Sequence, residues 1–520
     1  MSLPAETRSW TTNLDGISAL KLATSRTPTA TDLQPGQILV KILAVSLNYK
    51  DAEIINGLFK HHKSSIAPPD LIPCGDSVGV VVAIGGSASP ANQDSTPSCS
   101  FAPGDRVLSV AYPLYATGPA LPKYLAAGVG SAVNGVLTEY RIFPPEGLVR
   151  CPSYLSDAEA CTLPIAGTTA WMALRWQLPL VHGPEAVQAL KSGGDNTNTD
   201  SRHTLLLQGT GGVSLFGLQF GLALGYRCLL TSSSDDKLAR ARLLYPTELR
   251  DADLISYRTM PQWFTSVQET TYGHGADLIF ENGGAATTPQ SFTCVAFGGT
   301  IASIGYVGGK YDQIQSLAEN DVGRLNINVL ALSKNATIKG LLNGPKDRLE
   351  EMLRFVQHHQ IRPVVDVVYP FEEAREALSY LWEGRHFGKV VILVLEPPDN
   401  GRGLWQKDIK DTDEESEWQW LKVILCREPQ QAIKAAREGC LLFKALLGRF
   451  TESDIGKVEA FHALVLFMRA WVDPLSFDDE RCMEAYWASS ANITMNSFNS
   501  DIKTKQAGQF EYFAEEGKED

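Results

Sequence analysis

The chain has no paired-cysteine pattern. Its nine cysteines are scattered, with no CxxC among them. That argues against a disulfide framework or a cysteine-built metal module and leaves reduced thiols as the expectation. Long apolar runs are also missing. The nearest approach, Phe461 to Val472, is short and contains His462 and Arg469, so no membrane span is expected. The opening residues MSLPAETRSW have no apolar core and carry an early Glu, so no signal or transit segment is read there and a cytoplasmic location is expected. Excess positive charge is absent: 46 Lys and Arg stand against 59 Asp and Glu, a net charge of -13. Nonspecific nucleic-acid binding is therefore disfavoured, and no tandem basic-aromatic stretch suggests otherwise. There are no internal repeats.

What is present is the pattern of a large globular α/β protein. Hydrophobic residues make up 44% and charged residues 20% of 520 positions, enough for roughly two to four domains. The chain is organised around residues 203 to 243. Thr204 to Leu207 reads as a buried strand. A glycine turn follows (Gly209, Gly211, Gly212), then a helical pattern through Val213, Phe216, Leu218, Phe220 and Leu224, closed by Gly225. Cys228 to Thr231 reads as the next strand. Strand, glycine turn, helix and strand make the first half of a Rossmann-type, doubly wound parallel sheet. The glycines allow close approach of a pyrophosphate, and the helix start offers N–H groups and a positive dipole end. The third expected glycine is Ser214, so the fingerprint is imperfect, and a tight turn in any α/β protein would read alike.

After the second strand an NAD enzyme usually carries a carboxylate that accepts from the ribose hydroxyls. Here the position is Ser232, within Thr231 to Ser234, with Lys237 one turn into the next helix. Hydroxyls and an ammonium suit a phosphate where a carboxylate would repel it. The expected cofactor is thus NADP(H) rather than NAD(H). A solvated serine loop with a surface lysine is the alternative.

Residues 1 to 150 read as β-rich. Ile38 to Val45 is a strand entered by the turn Gln34-Pro35-Gly36, residues 72 to 86 form another with glycine punctuation, and residues 135 to 143 end the region as a strand. Residues 87 to 100 and 183 to 203 read as exposed polar excursions. Beyond Leu243, strands are expected at Ala252 to Ser256, Asp277 to Phe280 and Gly299 to Ile304.

Five motifs in order resemble the medium-chain dehydrogenase/reductase superfamily. They are Asn48-Tyr49-Lys50-Asp51, Gly75-Asp76-Ser77, Pro103 to Val107, Leu163 to Ala170 and Gln208 to Val213. A later block from Ile361 to Val391 also fits, so the resemblance covers roughly residues 15 to 395. It implies a GroES-like β-rich catalytic domain at 1–155, a Rossmann NADP-binding domain at 156–342, and a return to the catalytic domain at 343–396. It also implies cofactor contacts for Gly305 and Tyr306 near the nicotinamide, for Tyr257 near the adenosine phosphate, and for Thr168. Thr168 and Thr169 could equally cap the helix expected over Ala170 to Trp176. Tyr257 could equally be a half-buried core aromatic.

The zinc alcohol dehydrogenases of this superfamily bind their metal through cysteines and a histidine. The matching positions here are Asn48, Asp76 and Pro164, of which only Asp76 could coordinate, so no metal is expected. Cys74 and Cys161 lie off register and read as small buried thiols. Reduction of a conjugated double bond needs no metal, because hydrogen bonds can stabilise the enolate. The resemblance then assigns Asn48 as a donor to a developing enolate oxygen and Lys50 as a cationic stabiliser or proton donor. Asp51 is expected to be structural. Phe59 stands where quinone oxidoreductases often carry tyrosine. The activity the resemblance implies is zinc-independent hydride transfer from NADPH to an α,β-unsaturated carbonyl or quinone-like small molecule, so the expected partner is a small-molecule substrate. The alternatives are an alcohol or carbonyl dehydrogenase, an enoyl reductase serving a biosynthetic synthase, and a non-catalytic NADP-sensing scaffold. Relatives that pair through the nucleotide domain make a homodimer an expectation by analogy.

The resemblance ends near Leu395. Residues 397–520 read as an acidic linker (Lys407 to Glu417), a mainly helical extension and a polar tail expected to be disordered. One helix face, Val458, Phe461, Leu464, Val465, Met468 and Trp471, suits docking on the core or on a partner.

Overall fold

The computed structural model describes residues 3–59, 67–86, 101–175, 203–309 and 327–394. The excursion at 87–100, that at 183–203 apart from His203, and everything read from 397 onward lie outside the described residues. Strands β1 (Glu6–Thr11) and β2 (Lys21–Arg26) form an antiparallel pair. The catalytic lobe continues with β3 (Ile38–Ser46), β4 (Asp76–Ile84), β5 (Arg106–Ser109), β6 (Tyr140–Phe143) and β7 (Leu148–Arg150). The nucleotide lobe holds β8 (Thr204–Gln208), β9 (Arg227–Ser232), β10 (Leu254–Ser256), β11 (Ala276–Glu281), β12 (Val295–Ser303) and β13 (Thr337–Gly340). Two strands, β14 (Val365–Pro370) and β15 (Lys389–Leu393), return to the first lobe.

The nucleotide sheet has the order β10-β9-β8-β11-β12-β13 and is parallel throughout. Numbered within the sheet this is 3-2-1-4-5-6, the doubly wound order, with its switch point between β8 and β11. The side chains explain why β8 sits centrally. Leu205 and Leu207 enter one core with Phe216, Phe220 and Trp171, while Leu206 enters the core on the opposite face with Ile279, Ile301 and Trp263. A strand buried on both faces needs apolar residues at every position, not alternation. Each such ring or branched side chain contributes roughly 1.5–3 kcal/mol by leaving water.

The second sheet has the order β14-β15-β3-β4-β5-β7, with β6 also paired to β3. Bulges between Leu39 and Val40 and between Ile42 and Ala44 bend β3. β15 lies antiparallel to β3 and so brings the last described segment into the heart of the catalytic lobe. Just before it, Gly388 donates its N–H to Thr210 O at 2.9 Å. One lobe's sheet is thereby stitched to the other lobe's glycine turn.

Two local expectations change. The third strand is shorter than expected, because Asp251–Asp253 coils into a 3-10 turn in which the Asp253 carboxylate accepts from Arg227 and Arg250. The helix expected from Ala170 runs Thr168–Arg175 and continues directly from a π turn at Leu163–Gly167. Thr168 is therefore interior to a helical run and caps nothing. No helix among the described residues is long and apolar enough to cross a membrane.

Candidate active site

The glycine turn sits at the carboxyl end of β8. Gly209 has φ +81°, a left-handed conformation that favours glycine, and its N–H donates to Thr231 O at 3.0 Å. Gly211 begins the helix Gly212–Ala223, and no side chain caps it. Its first-turn N–H groups have no intrahelical acceptor and suit an anionic group such as a pyrophosphate. Val213 is half-buried and packs on the core. Ser214, at the missing third glycine, is buried. Its Oγ donates to Gln208 O at 2.8 Å and accepts from Asn282 Nδ2 at 3.1 Å. The departure from the fingerprint thus ties the helix to the ends of two strands.

Below the turn lies a buried polar cluster. Asn48 precedes the helix Tyr49–Ile55, and its backbone N–H donates to Asp51 Oδ2 at 2.8 Å. Asn48 Nδ2 donates to Asp76 Oδ2 at 2.8 Å and reaches Asp51 Oδ2 at 3.4 Å. Its Oδ1 accepts from Lys389 Nζ at 2.7 Å, and Lys389 also donates to Leu47 O at 2.7 Å. The Lys389 ammonium stands 3.6 Å from Asp76 Oδ2, with both side chains buried. Burial pushes the Asp76 carboxyl up to about 7 against the opposing pull of Lys389 and Asn48. Burial likewise raises Asp51 and lowers Lys389.

This geometry corrects the role expected of Asn48. Both ends of its amide are spent on Asp76, Asp51 and Lys389, so it holds the turn and offers no spare donor to an enolate. Asp51 has the structural role expected of it. Lys50 is different. Its ammonium lies 5.4 Å from the centroid of the Tyr112 ring. Burial works against its charge, but Tyr112, Asp51 and Asp76 outweigh it and hold the ammonium above its usual range. Tyr112 belongs to a small apolar cluster with Ala111, Tyr115 and Ile165.

On the other side of the turn, Glu281 at the end of β11 is buried and fully engaged. It accepts from Gln208 Nε2 at 2.9 Å, from the N–H groups of Gly283 and Gly284 at 3.0 Å each, and from Ser291 and Thr287. The loop after β12 zips onto that segment through Gly305 N to Glu281 O at 3.1 Å and Gly308 N to Gly283 O at 2.8 Å. Tyr306 on this loop crosses to the catalytic lobe, where its Oη donates to Glu53 Oε2 at 2.7 Å. Thr168 is buried and its Oγ1 has no hydrogen-bond partner.

The serine loop lies at the end of β9. Ser232 is buried; its Oγ accepts from Ser234 N at 3.1 Å and its carbonyl accepts from Tyr257 N at 3.0 Å. Tyr257 is thus beside Ser232, and at 41% exposure it is not a core aromatic. Lys237 stands on the helix Asp235–Leu244, capped by Ser234, and its Nζ donates to Gly384 O at 2.7 Å. Among the described residues this bond uses one of the three N–H donors of the ammonium.

Sequence reading missed Lys389, Glu53, Tyr112 and the Gln208–Glu281 pair. The available signal for Lys389 was a lysine opening the otherwise apolar strand Lys389–Leu393. Zinc does not fit the residues present. Asn48 and Asp76 are turned to a buried ammonium, and no three His, Cys, Asp or Glu side chains among the described residues could hold a metal ion. Cys74 and Cys161 are buried, and burial keeps both thiols protonated.

Comparison with known proteins agrees with this architecture. A family model described as alcohol dehydrogenase GroES-like domain matches residues 34–153, and one described as zinc-binding dehydrogenase matches residues 251–392. A zinc-type alcohol dehydrogenase-like protein of Schizosaccharomyces pombe is 32% identical over 366 residues, 70% of this chain and 92% of the relative. A 2-methylene-furan-3-one reductase of Solanum lycopersicum is 23% identical over 397 residues, 75% of this chain and 80% of the relative. The crystal structure of a candidate alcohol dehydrogenase from Sinorhizobium meliloti 1021 superposes with a TM-score of 0.60 at 33% identity, covering 76% of this chain and 100% of that one. The chain belongs to the medium-chain dehydrogenase/reductase family of nicotinamide-dependent oxidoreductases.

Proposed function

We propose that the protein is an NADPH-dependent reductase of α,β-unsaturated carbonyl compounds, quinones included, working without a metal. The observation that carries this reading is the division of labour between two lysines. Lys389 absorbs the side chains that stand at the zinc positions, and Lys50 is held charged beside Tyr112 at the start of the next helix.

When bound, a nicotinamide would supply a hydride to the β carbon of the substrate. Electron density would move to the carbonyl oxygen, and the enolate would then take a proton at the α carbon from a side chain or water to leave the saturated carbonyl compound. The Lys50 ammonium is suited to stabilise that oxygen, because a preset cation in a water-poor site favours charge that develops there. Tyr112 and its apolar neighbours give the substrate a flat, hydrophobic wall. Glu281 and Gln208 hold the loop that faces the glycine turn. Ser232 and Lys237 supply a hydroxyl and an ammonium for a ribose phosphate, with a serine in place of a carboxylate as the last residue of β9 and with Asp235 and Asp236 exposed on the helix that follows. The S. lycopersicum relative, by its name, reduces a conjugated ketone, which supports the substrate class.

The test is a fluorescence titration with NADPH and, separately, NADH, followed by NADPH consumption against a panel of enones and quinones. NADPH is expected to bind at least about tenfold more tightly, roughly 1.4 kcal/mol. Equal affinities would contradict the phosphate site. Binding of neither cofactor would contradict the reductase reading altogether.

A further inference from the structure

We infer that Lys389 is a positioning residue: its buried ammonium fixes the turn Leu47 to Lys50 relative to the glycine turn, and so sets where Lys50 stands against the cofactor. The consequence for turnover rests on the reductase reading above; the positioning itself does not.

Three observations carry the inference. First, the Lys389 stem is held at the glycine turn. The residue before it donates to Thr210 O, and a Cβ added at Gly212 would lie 2.5 Å from Lys389 Cδ. The close approach at Gly212 is therefore also to this side chain, and only a glycine leaves it room. Second, the far end of the same side chain reaches the catalytic loop, at Leu47 O and Asn48 Oδ1. An ammonium has three donors and no acceptor, so Asn48 must turn its carbonyl oxygen toward it. The amide nitrogen is thereby sent to Asp76 and Asp51, and the peptide that launches the Lys50 helix has one orientation. Third, the charge is expensive where it lies. A buried ammonium is tolerated only when paired and hydrogen-bonded, and an apolar side chain of equal length would fill the same channel without that cost. Bulk alone does not explain a lysine here, whereas orientation of Asn48 does.

The experiment removes charge and keeps bulk. Lys389→Met, and Lys389→Met combined with Asp76→Asn so that no carboxylate is left without its counter-charge, are compared with the wild-type protein. The double variant guards against a single variant that fails to fold. Three readouts are taken: NADPH affinity, kcat on an enone, and hydrogen exchange across residues 47–55. The expected result is NADPH affinity within about twofold of wild type and kcat lower on the order of 100-fold, in both variants, because a small misplacement of reacting groups is that costly. Exchange across residues 47–55 should be faster in both. Recovery of wild-type turnover by the double variant would overturn the inference, since the damage would then be only an orphaned carboxylate. A fall in NADPH affinity matching the fall in kcat would also overturn it. Unchanged exchange at residues 47–55 would do so without any turnover being measured. Should the wild-type protein bind NADPH and reduce no enone, the reductase reading fails, and exchange still decides the role of Lys389.

Discussion

The two places where the nucleotide lobe meets the catalytic lobe, the glycine turn and the serine loop, differ in how they are built. At the glycine turn the lobes are cross-tied twice, by Gly388 to Thr210 and by Tyr306 to Glu53, and beside these ties Lys389 holds Asn48 within the catalytic lobe. At the serine loop two exposed ties, Lys237 to Gly384 and Arg240 to Asp366, join them, and Tyr257 is exposed. The first end fixes charged groups at set distances, which chemistry requires. The second offers hydroxyls and a lysine on a strand end and a helix start, the groups to which the proposed function assigns a phosphate. Half-buried ties thus mark the end beside the glycine turn, and exposed ties the end beside the serine loop.

Breaking the cross-tied end should produce the largest effect. Lys50→Met is expected to lower kcat on an enone on the order of 100-fold with NADPH affinity held, measured by steady-state kinetics and titration. An unchanged kcat would remove Lys50 from the chemistry. Tyr306→Phe takes one donor from the buried Glu53 and should lower stability by about 1–2 kcal/mol in a urea melt. A loss confined to NADPH affinity, with stability intact, would show that Tyr306 serves the cofactor and not the tie. The open end should respond more selectively. Ser232→Asp is expected to weaken NADPH about tenfold, near 1.4 kcal/mol, and to leave NADH affinity level or improved. Equal weakening of both cofactors would mean that the serine loop does not read the phosphate.

The same contrast governs what could be read from the residues. The strand, turn, helix and strand around Gly209 were legible because every determinant lies within about one βαβ unit. The places of Ser232 at the end of β9 and of Lys237 on the next helix were legible for the same reason. The long-range ties were not, since Lys389 and Asn48 are 341 positions apart and Tyr306 and Glu53 are 253 apart. Nothing local in Asn48-Tyr49-Lys50-Asp51 says that the asparagine amide is already occupied. That fact depends on a lysine delivered by the last strand of the catalytic sheet. Ser214 teaches a related point. The fingerprint counts it as a missing glycine, yet its hydroxyl links Gln208 to Asn282 and joins the turn to the loop after β11.

The central claim is that hydride adds to the β carbon of a conjugated carbonyl and that Lys50, with no metal, stabilises the oxygen. The most direct measurement is the reduction of an enone with NADPH carrying deuterium at C4, with the label located in the product by NMR. Deuterium on the β carbon of a saturated ketone, undiminished after treatment with a metal chelator, is the result expected. Deuterium on the carbonyl carbon of an unsaturated alcohol, or activity abolished by the chelator, would contradict it.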